Sequence, residues 1–471
     1  MKREVKKGIR RLDLKLFWIG LFAAVFVAAP LFVTGNTTLW TLLVFALFLF
    51  VGYKAEIPMF PLWLFAVALT VRLLIALTVK TPAESDFAVL WDASQRLLSG
   101  DTSFNTEQYF TLWPYQIGYV WFQTLFLGIW NDIRILWIVN CVSAAASVTL
   151  VYLIAERFAG KRAARAASLL YCFLPFPLFY VSVLSNQIPS SALILLGIYI
   201  LVRFESSPRP YLRYVLFGAL LAVANVLRPE SIVPLFAAAL CLVICINKTN
   251  LKSSLVSLFA MLGTYFLLGF IFSRLFVLSG VSPLGLSNSA PEWKFVLGFN
   301  HETLGSYSDA DSIYLSDREA MRALIKQRVL VPVGDLFSLF TAKIGRFWNG
   351  SGIEWSLGHL YGESVGFLGK RYEILDAAVF LTDMSKWSLV FAYALSVLGT
   401  VRAVVKKTVT SGLVTVVNTV FVTFGVYLLV EIQPRYAYLV QMTVFILAAL
   451  GIASLFETAE NRFKSERKKK K

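Results

Sequence analysis

Apolar runs of about 15 to 25 residues follow one another along this chain with only short polar breaks, and a helix needs roughly 20 residues to cross a hydrocarbon layer about 30 Å thick. That alternation leaves few folds open. Of 471 residues, 58% are hydrophobic and 15% are charged, too little polar surface to cover a water-soluble globule. The sequence therefore specifies an all-α polytopic membrane protein. The first run follows a basic segment without a small-residue cleavage site, so it is expected to be a retained helix.

The placement of charge gives the topology. The net charge is +16. Residues 1–15 carry +5 and residues 457–471 carry +4, while the short loops 156–165, 203–213, 247–252 and 402–407 carry +3, +2, +2 and +3. Everything else is slightly acidic. Cationic loops gathered on one side are the mark of the cytoplasmic face. The C-terminal Lys468–Lys471 run is expected to anchor the tail at anionic headgroups rather than to bind nucleic acid.

With the N-terminus inside, about 12 transmembrane helices are expected, near 16–34, 38–53, 59–79, 134–155, 167–182, 189–203, 211–227, 231–247, 254–278, 386–403, 411–430 and 436–456. The division is then a basic cytoplasmic tail (1–15), a transmembrane domain (16–456) and a second basic tail (457–471). Two large extracytoplasmic loops, 80–133 and 279–385, lie inside that domain. Residues from Asp86 onward repeat apolar positions at helical spacing, predicting an interfacial helix. Trp113–Phe122 opens an aromatic segment that parity keeps from crossing. The second loop is too long for a plain connector; a helix is expected over 315–331 and an amphipathic stretch over 335–348, so interfacial helices are expected in both loops. Cys141, Cys172, Cys241 and Cys245 sit in apolar runs and are taken as packing residues.

Acids gather at the start of the first loop, including Glu84, Asp86, Asp92, Asp101 and Glu107. A carboxylate beside an apolar surface is a natural proton acceptor, and Asp86 is the best placed as a catalytic base; Ser85-Asp86 is equally a plausible helix cap. Near the other end, Arg435 beside Tyr436 has the donor geometry to hold a phosphate at headgroup depth, or to pair with Glu431. Arg228 is a second candidate for the phosphate, with Glu230 beside it as a neutralising partner. Asp92, Glu107, Trp113, Tyr115, His301, Glu302 and Glu431 are candidate contacts to an acceptor or a sugar. The spacing of His301, Glu302, Asp309 and Asp311 matches neither a zinc nor a calcium motif. No cofactor is called for, and a divalent metal stays open. Without a phosphate-cradling glycine loop or a cytoplasmic domain, a substrate must arrive already activated.

The order of Ser85-Asp86, Trp113-Pro-Tyr-Gln, Gly298-Phe-Asn with Gly305-Ser-Tyr-Ser-Asp309, and Glu431 with Pro434-Arg435-Tyr436 resembles the GT-C superfamily of membrane glycosyltransferases. The similarity is to bacterial members related to the protein O-mannosyltransferases and the lipid A aminoarabinose transferase, over roughly residues 60–456. It implies a polyprenyl-phosphate-linked sugar donor, a cell-envelope acceptor (polymer, lipid or protein), inverting transfer on the outer face, Asp86 as general base and Arg435-Tyr436 near the lipid phosphate. Where the protein mannosyltransferases carry an Asp-Glu pair this chain has Asp86-Phe87, so a protein acceptor is not implied. A bacterial plasma membrane is the expected location, with membrane lipids as partners. A multi-span transporter or lipid flippase is the alternative; inverted repeats and midplane charges, which such proteins use, are not evident.

Overall fold

The structure, a computed structural model, describes residues 37–246, 250–367 and 370–469. The expected tail 1–15 and the first expected span, 16–34, lie outside the described residues. The remainder is built almost wholly of helices: α1 (Thr37–Lys54), α2 (Phe60–Val79), α3 (Asp86–Leu98), α4 (Ile117–Leu127), α5 (Ile133–Cys172), α6 (Gln187–Arg203), α7 (Pro210–Leu227), α8 (Ile232–Ile244), α9 (Leu251–Leu278), α10 (Arg318–Val329), α11 (Val333–Trp348), α12 (Ile374–Val405), α13 (Ser411–Leu429) and α14 (Tyr438–Lys469). Among the described residues, seven helices are long and apolar enough to cross a membrane: α2, α5, α7, α9, α12, α13 and the Pro434–Thr458 stretch that opens α14. Thr41–Lys54, α6 and α8 are apolar but shorter.

Two expected spans, 134–155 and 167–182, fall on α5 and the turns after it. A straight helix of 40 residues would run about 60 Å. Gly160, however, has φ 76° and ψ 167°, a conformation open to glycine and costly for other residues. The chain doubles back there: Asn140 Nδ2, on the first arm, donates to Val183 O at 2.8 Å, beyond the second. The basic residues Arg157, Lys161 and Arg162 flank this reversal. The expected spans 211–227 and 231–247 are two helices, α7 and α8, because Pro229 cannot continue α7. In contrast, α12 starts at Ile374, twelve residues before the apolar run that marked it; Asp376, Asp383 and Lys386 hide its first turns from hydropathy.

At the centre, α5 packs against α1, α2, α6 and α14, and α12 lies along α14. Small residues let these backbones approach, as membrane helices require in the absence of a hydrophobic drive between them. A Cβ on Gly451 would stand 2.1 Å from Leu395 O, and one on Gly399 would stand 2.4 Å from Gly451 N. The buried Arg72 of α2 is accommodated by geometry: its Nη2 donates to Cys172 O at 3.3 Å, at the carbonyl end of the second α5 arm where the helix dipole is negative. Cys141, Cys172 and Cys241 are buried free thiols.

Both long loops lie at one end of the bundle. The first holds α3 and α4; at 11 residues, α4 is too short to cross and packs under α3 instead. The second holds a short helix, Trp293–Gly298, then α10 and α11 close to the predicted places. It also forms a two-stranded antiparallel hairpin, Ser364–Phe367 with Lys370–Glu373, which no periodicity announced.

Candidate active site

The entry to α3 is pinned from below: Thr81 Oγ1 lies 2.6 Å from Ser182 Oγ and donates to Ser356 O at 3.0 Å. Ser85 then takes φ 53°, ψ −135°, an unusual conformation for a non-glycine residue and of the kind found where a side chain must be aimed. Although Ser85 holds the cap position, it makes no side-chain capping bond. Asp86 follows as the first helical residue, exposed, with no hydrogen bond or ion pair among the described residues. Beneath it Phe87 is buried edge-on to Trp355.

Three cations line the same cavity as Asp86. Arg228, just past the end of α7, pairs through Nε with Glu230 at 2.9 Å and through Nη1 with Asn186 Oδ1 at 3.1 Å. Asn186 in turn donates to Leu227 O and to Gln116 Oε1, tying the starts of α4 and α6 to the end of α7. Arg435 lies on the turn Pro434–Ala437, with its guanidinium carbon 4.3 Å from the Trp355 ring and 4.8 Å from Phe87. Gln187 Nε2 holds the Arg435 carbonyl at 2.9 Å. Lys294, from the short helix Trp293–Gly298, forms an ion pair with Glu431.

One amide links the two halves of this arrangement. Gln433 Nε2 donates to Glu431 Oε1 at 2.9 Å, and Gln433 Oε1 accepts from Arg435 Nε at 2.5 Å. From outside, Lys343 of α11 fixes the wall by donating to Gly298 O, Leu428 O and Val430 O at 2.7–2.8 Å, one carbonyl for each ammonium hydrogen. The enclosed space is a cavity of about 220 Å³ that Asp86, Tyr115, Arg228, Lys294, Glu431, Arg435 and Tyr436 help to line.

Electrostatics distinguish the two buried acids. Burial works against the Glu431 carboxylate, but the charge and hydrogen bond of Lys294, with Gln433, outweigh it and hold its pKa below the usual glutamate value. At Glu230 burial wins over Arg228 and the pKa is raised. Burial also pushes the Tyr115 phenol up. The Lys294 ammonium resists burial with help from Tyr436, Glu431 and Tyr115, and its pKa is raised well above the ordinary lysine value. The result is a cavity lined by three cations, two of them paired with buried acids, and by the unpaired Asp86 carboxylate.

Of the residues singled out from sequence, Asp86, Tyr115, Arg228, Glu431, Arg435 and Tyr436 converge here. Others lie elsewhere. Asp92, Asp101 and Glu107 surround Arg96, at 3.6, 2.8 and 2.6 Å, and lock the first loop. Trp113 packs against Tyr109. His301 Nε2 lies 3.0 Å from Arg328 O, and the Glu302 backbone N–H donates to Asn300 Oδ1. Glu431 pairs with Lys294 rather than with Arg435. Among the described residues no three His, Cys, Asp or Glu side chains gather as a metal would need. Sequence reasoning missed Lys294 and Trp355; the need of Glu431 for a counter-ion was the one available signal for the first.

Fold and cavity together define a multi-pass membrane protein with a cation-lined pocket at its loop-bearing end. The sequence profile of the dolichyl-phosphate-mannose-protein mannosyltransferase family matches residues 116–272, a stretch that includes Gln116, Asn186, Arg228 and Glu230, and bears out the resemblance to GT-C glycosyltransferases. Among solved structures, the chain is similar to the archaeal oligosaccharyltransferase AglB from Archaeoglobus fulgidus in complex with an inhibitory peptide and a dolichol-phosphate, at 14% identity and TM-score 0.45, covering 87% of this chain and 52% of that one. The apo form of the Archaeoglobus fulgidus oligosaccharyltransferase matches at 14% identity and TM-score 0.45, over 85% and 52%. The chain thus spans about half the length of these proteins. No curated protein sequence matches.

Proposed function

We propose that this chain is a glycosyltransferase that moves a sugar from a polyprenyl-phosphate carrier to a cell-envelope acceptor at the outer face of a bacterial plasma membrane, both termini being cytoplasmic. The observation that carries this is the convergence, in one cavity at the end of the bundle, of the unpaired Asp86 carboxylate with Arg228, Lys294 and Arg435. Asp86 takes the proton from an acceptor hydroxyl or amine as its lone pair attacks the anomeric carbon. The bond from that carbon to the phosphate oxygen breaks, its electron pair leaves with the phosphate, and the sugar is inverted. The extra negative charge on the departing phosphate faces the cationic wall, where fixed charges need no rearrangement to stabilise it. The carrier enters sideways from the lipid, while the acceptor comes from the water above Asp86.

The test is transfer by purified protein from a synthetic polyprenyl-phosphate sugar. Asp86→Asn should lose about 10²- to 10⁴-fold in turnover, with unchanged melting because its carboxylate bonds nothing in the fold. Arg435→Ala should lose donor binding. Full activity in Asp86→Asn removes that residue as the base. Sugar flux across vesicles without any acceptor would instead favour a transporter. Mass spectrometry of envelope polymers from a strain lacking the protein names the sugar and acceptor through the one mass that disappears.

A further inference from the structure

The second loop carries an apolar face that the site does not use. Helix α11 has three sectors. Leu339, Lys343 and Phe347 are buried against the protein; Gly334, Ser338 and Gly345 face out on a polar sector; Val333, Phe337 and Ile344 form a third. That third stripe is open, with Val333 82% and Phe337 71% exposed, and Leu330 just before the helix extends it.

The position of the helix identifies what covers the stripe. Its C-terminal end packs on a membrane-spanning helix: Phe347 stacks on Tyr427 of α13 at 4.5 Å and Trp348 meets Phe424 at 6.1 Å. Tyr393 of α12 donates to Trp348 O at 2.7 Å. Phe424 lies five residues inside the end of α13, a depth of about 7.5 Å at 1.5 Å per residue. One turn deeper, the exposed Phe421 belongs to the surface that α13 turns to lipid. The apolar stripe of α11 thus runs toward Trp348, which meets that surface at Phe424. The hydroxyl of Thr341, beside the stripe, donates to Phe337 O, so the helix satisfies it internally, as a low-dielectric surrounding demands.

We propose that α11 lies along the bilayer at the loop-bearing end, with Val333, Phe337 and Ile344 inserted among the acyl chains of that leaflet and its polar sector toward water. This stands whether or not the transfer reaction is correct. Single cysteines at 333, 337, 344, 334, 338 and 345, in the full-length protein with Cys245→Ser, are spin-labelled; the three buried cysteines stay unreactive. The protein is then placed in vesicles of phosphatidylethanolamine and phosphatidylglycerol. Labels at 333, 337 and 344 should collide with oxygen and be shielded from a water-soluble nickel complex, with the reverse at 334, 338 and 345. Nickel access at 333, 337 and 344 equal to that at 334, 338 and 345 overturns the proposal, since the stripe then faces water. Labels on the stripe that are immobile and shielded from both reagents also overturn it, because a second copy or another protein then covers the face.

Discussion

Lys294 and Glu431, 137 positions apart in sequence, are bonded twice: the side chains form an ion pair, and the Glu431 N–H donates to the Lys294 carbonyl at 2.8 Å. The pair is asymmetric. The Glu431 side chain is 1% exposed and that of Lys294 is 38% exposed, so each partner leaves a different orphan. Lys294→Met strands a buried carboxylate and should cost roughly 3 kcal/mol or more. Glu431→Gln leaves an ammonium on a side chain that is only partly buried, and should cost less. Thermal unfolding of both variants and the double variant in detergent reads this ordering; equal losses would overturn the asymmetry, and losses that simply add in the double variant would show that the ion pair contributes nothing beyond the backbone bond.

The same pair fixes an acid dependence. Because the folded pKa of Glu431 lies below its ordinary value, its contribution to stability is complete above the unfolded glutamate value and disappears as the pH falls through the folded one. The melting difference between the parent protein and Glu431→Gln should therefore be constant near neutrality and shrink toward zero as the pH falls below the unfolded glutamate value and through the lower folded one. A difference independent of pH over that interval would assign the effect to shape rather than charge.

Gly298 closes the short helix against the end of α13. An added Cβ would lie 2.3 Å from Leu429 O and 2.6 Å from the Val430 carbonyl carbon, backbone atoms that cannot swing aside. Gly298→Ala should cost about 1–3 kcal/mol and push Lys294 out of place, lowering any activity along with stability. Gly334→Ala, in the open first turn of α11 with nothing within 4 Å, is the matched control and should be neutral or stabilising by up to about 1 kcal/mol. Comparing their melting temperatures checks both.

Arg435 sits over the Trp355 ring at 4.3 Å and the Phe87 ring at 4.8 Å, with one nitrogen committed to Gln433. Lysine keeps the charge but has no plane to stack and no fork to offer a phosphate. Arg435→Lys should weaken donor binding about tenfold, from loss of a stacking contribution near 1–2 kcal/mol, seen as a rise in donor KM with the pH profile unchanged. Activity equal to the parent would mean that only the charge matters.

Much of the fold was legible because lipid imposes one rule on every segment. Apolar length marked α2, α7, α9, α13 and the Pro434–Thr458 stretch within a few residues, helical spacing marked α3, and helices were expected where α10 and α11 lie. Helix α12 began earlier than hydropathy suggested, since its first turns carry Asp376 and Asp383. Half of the site was legible for a different reason. Asp86, Arg228 and Arg435 each stand at the end of an apolar run, so sidedness alone brought them to one end of the molecule. Asp92 and Glu107 share that side, but Arg96, four residues beyond Asp92 on the same helix, claims both. Lys294 was hidden because its loop has no periodicity and its partner is far along the chain. Trp355 was hidden because a ring that stacks on an arginine looks, in sequence, like any other interfacial tryptophan.

The three carbonyls gathered by Lys343 come from segments that flank the cavity, and the ammonium that gathers them rides on α11. A tilt of that helix cannot leave the wall behind: it draws on Gly298 and on the end of α13 together, and through them on the backbone that presents Lys294 and Glu431. One side chain thus ties the cavity wall to a surface helix, and three carbonyl bonds hold the two in register.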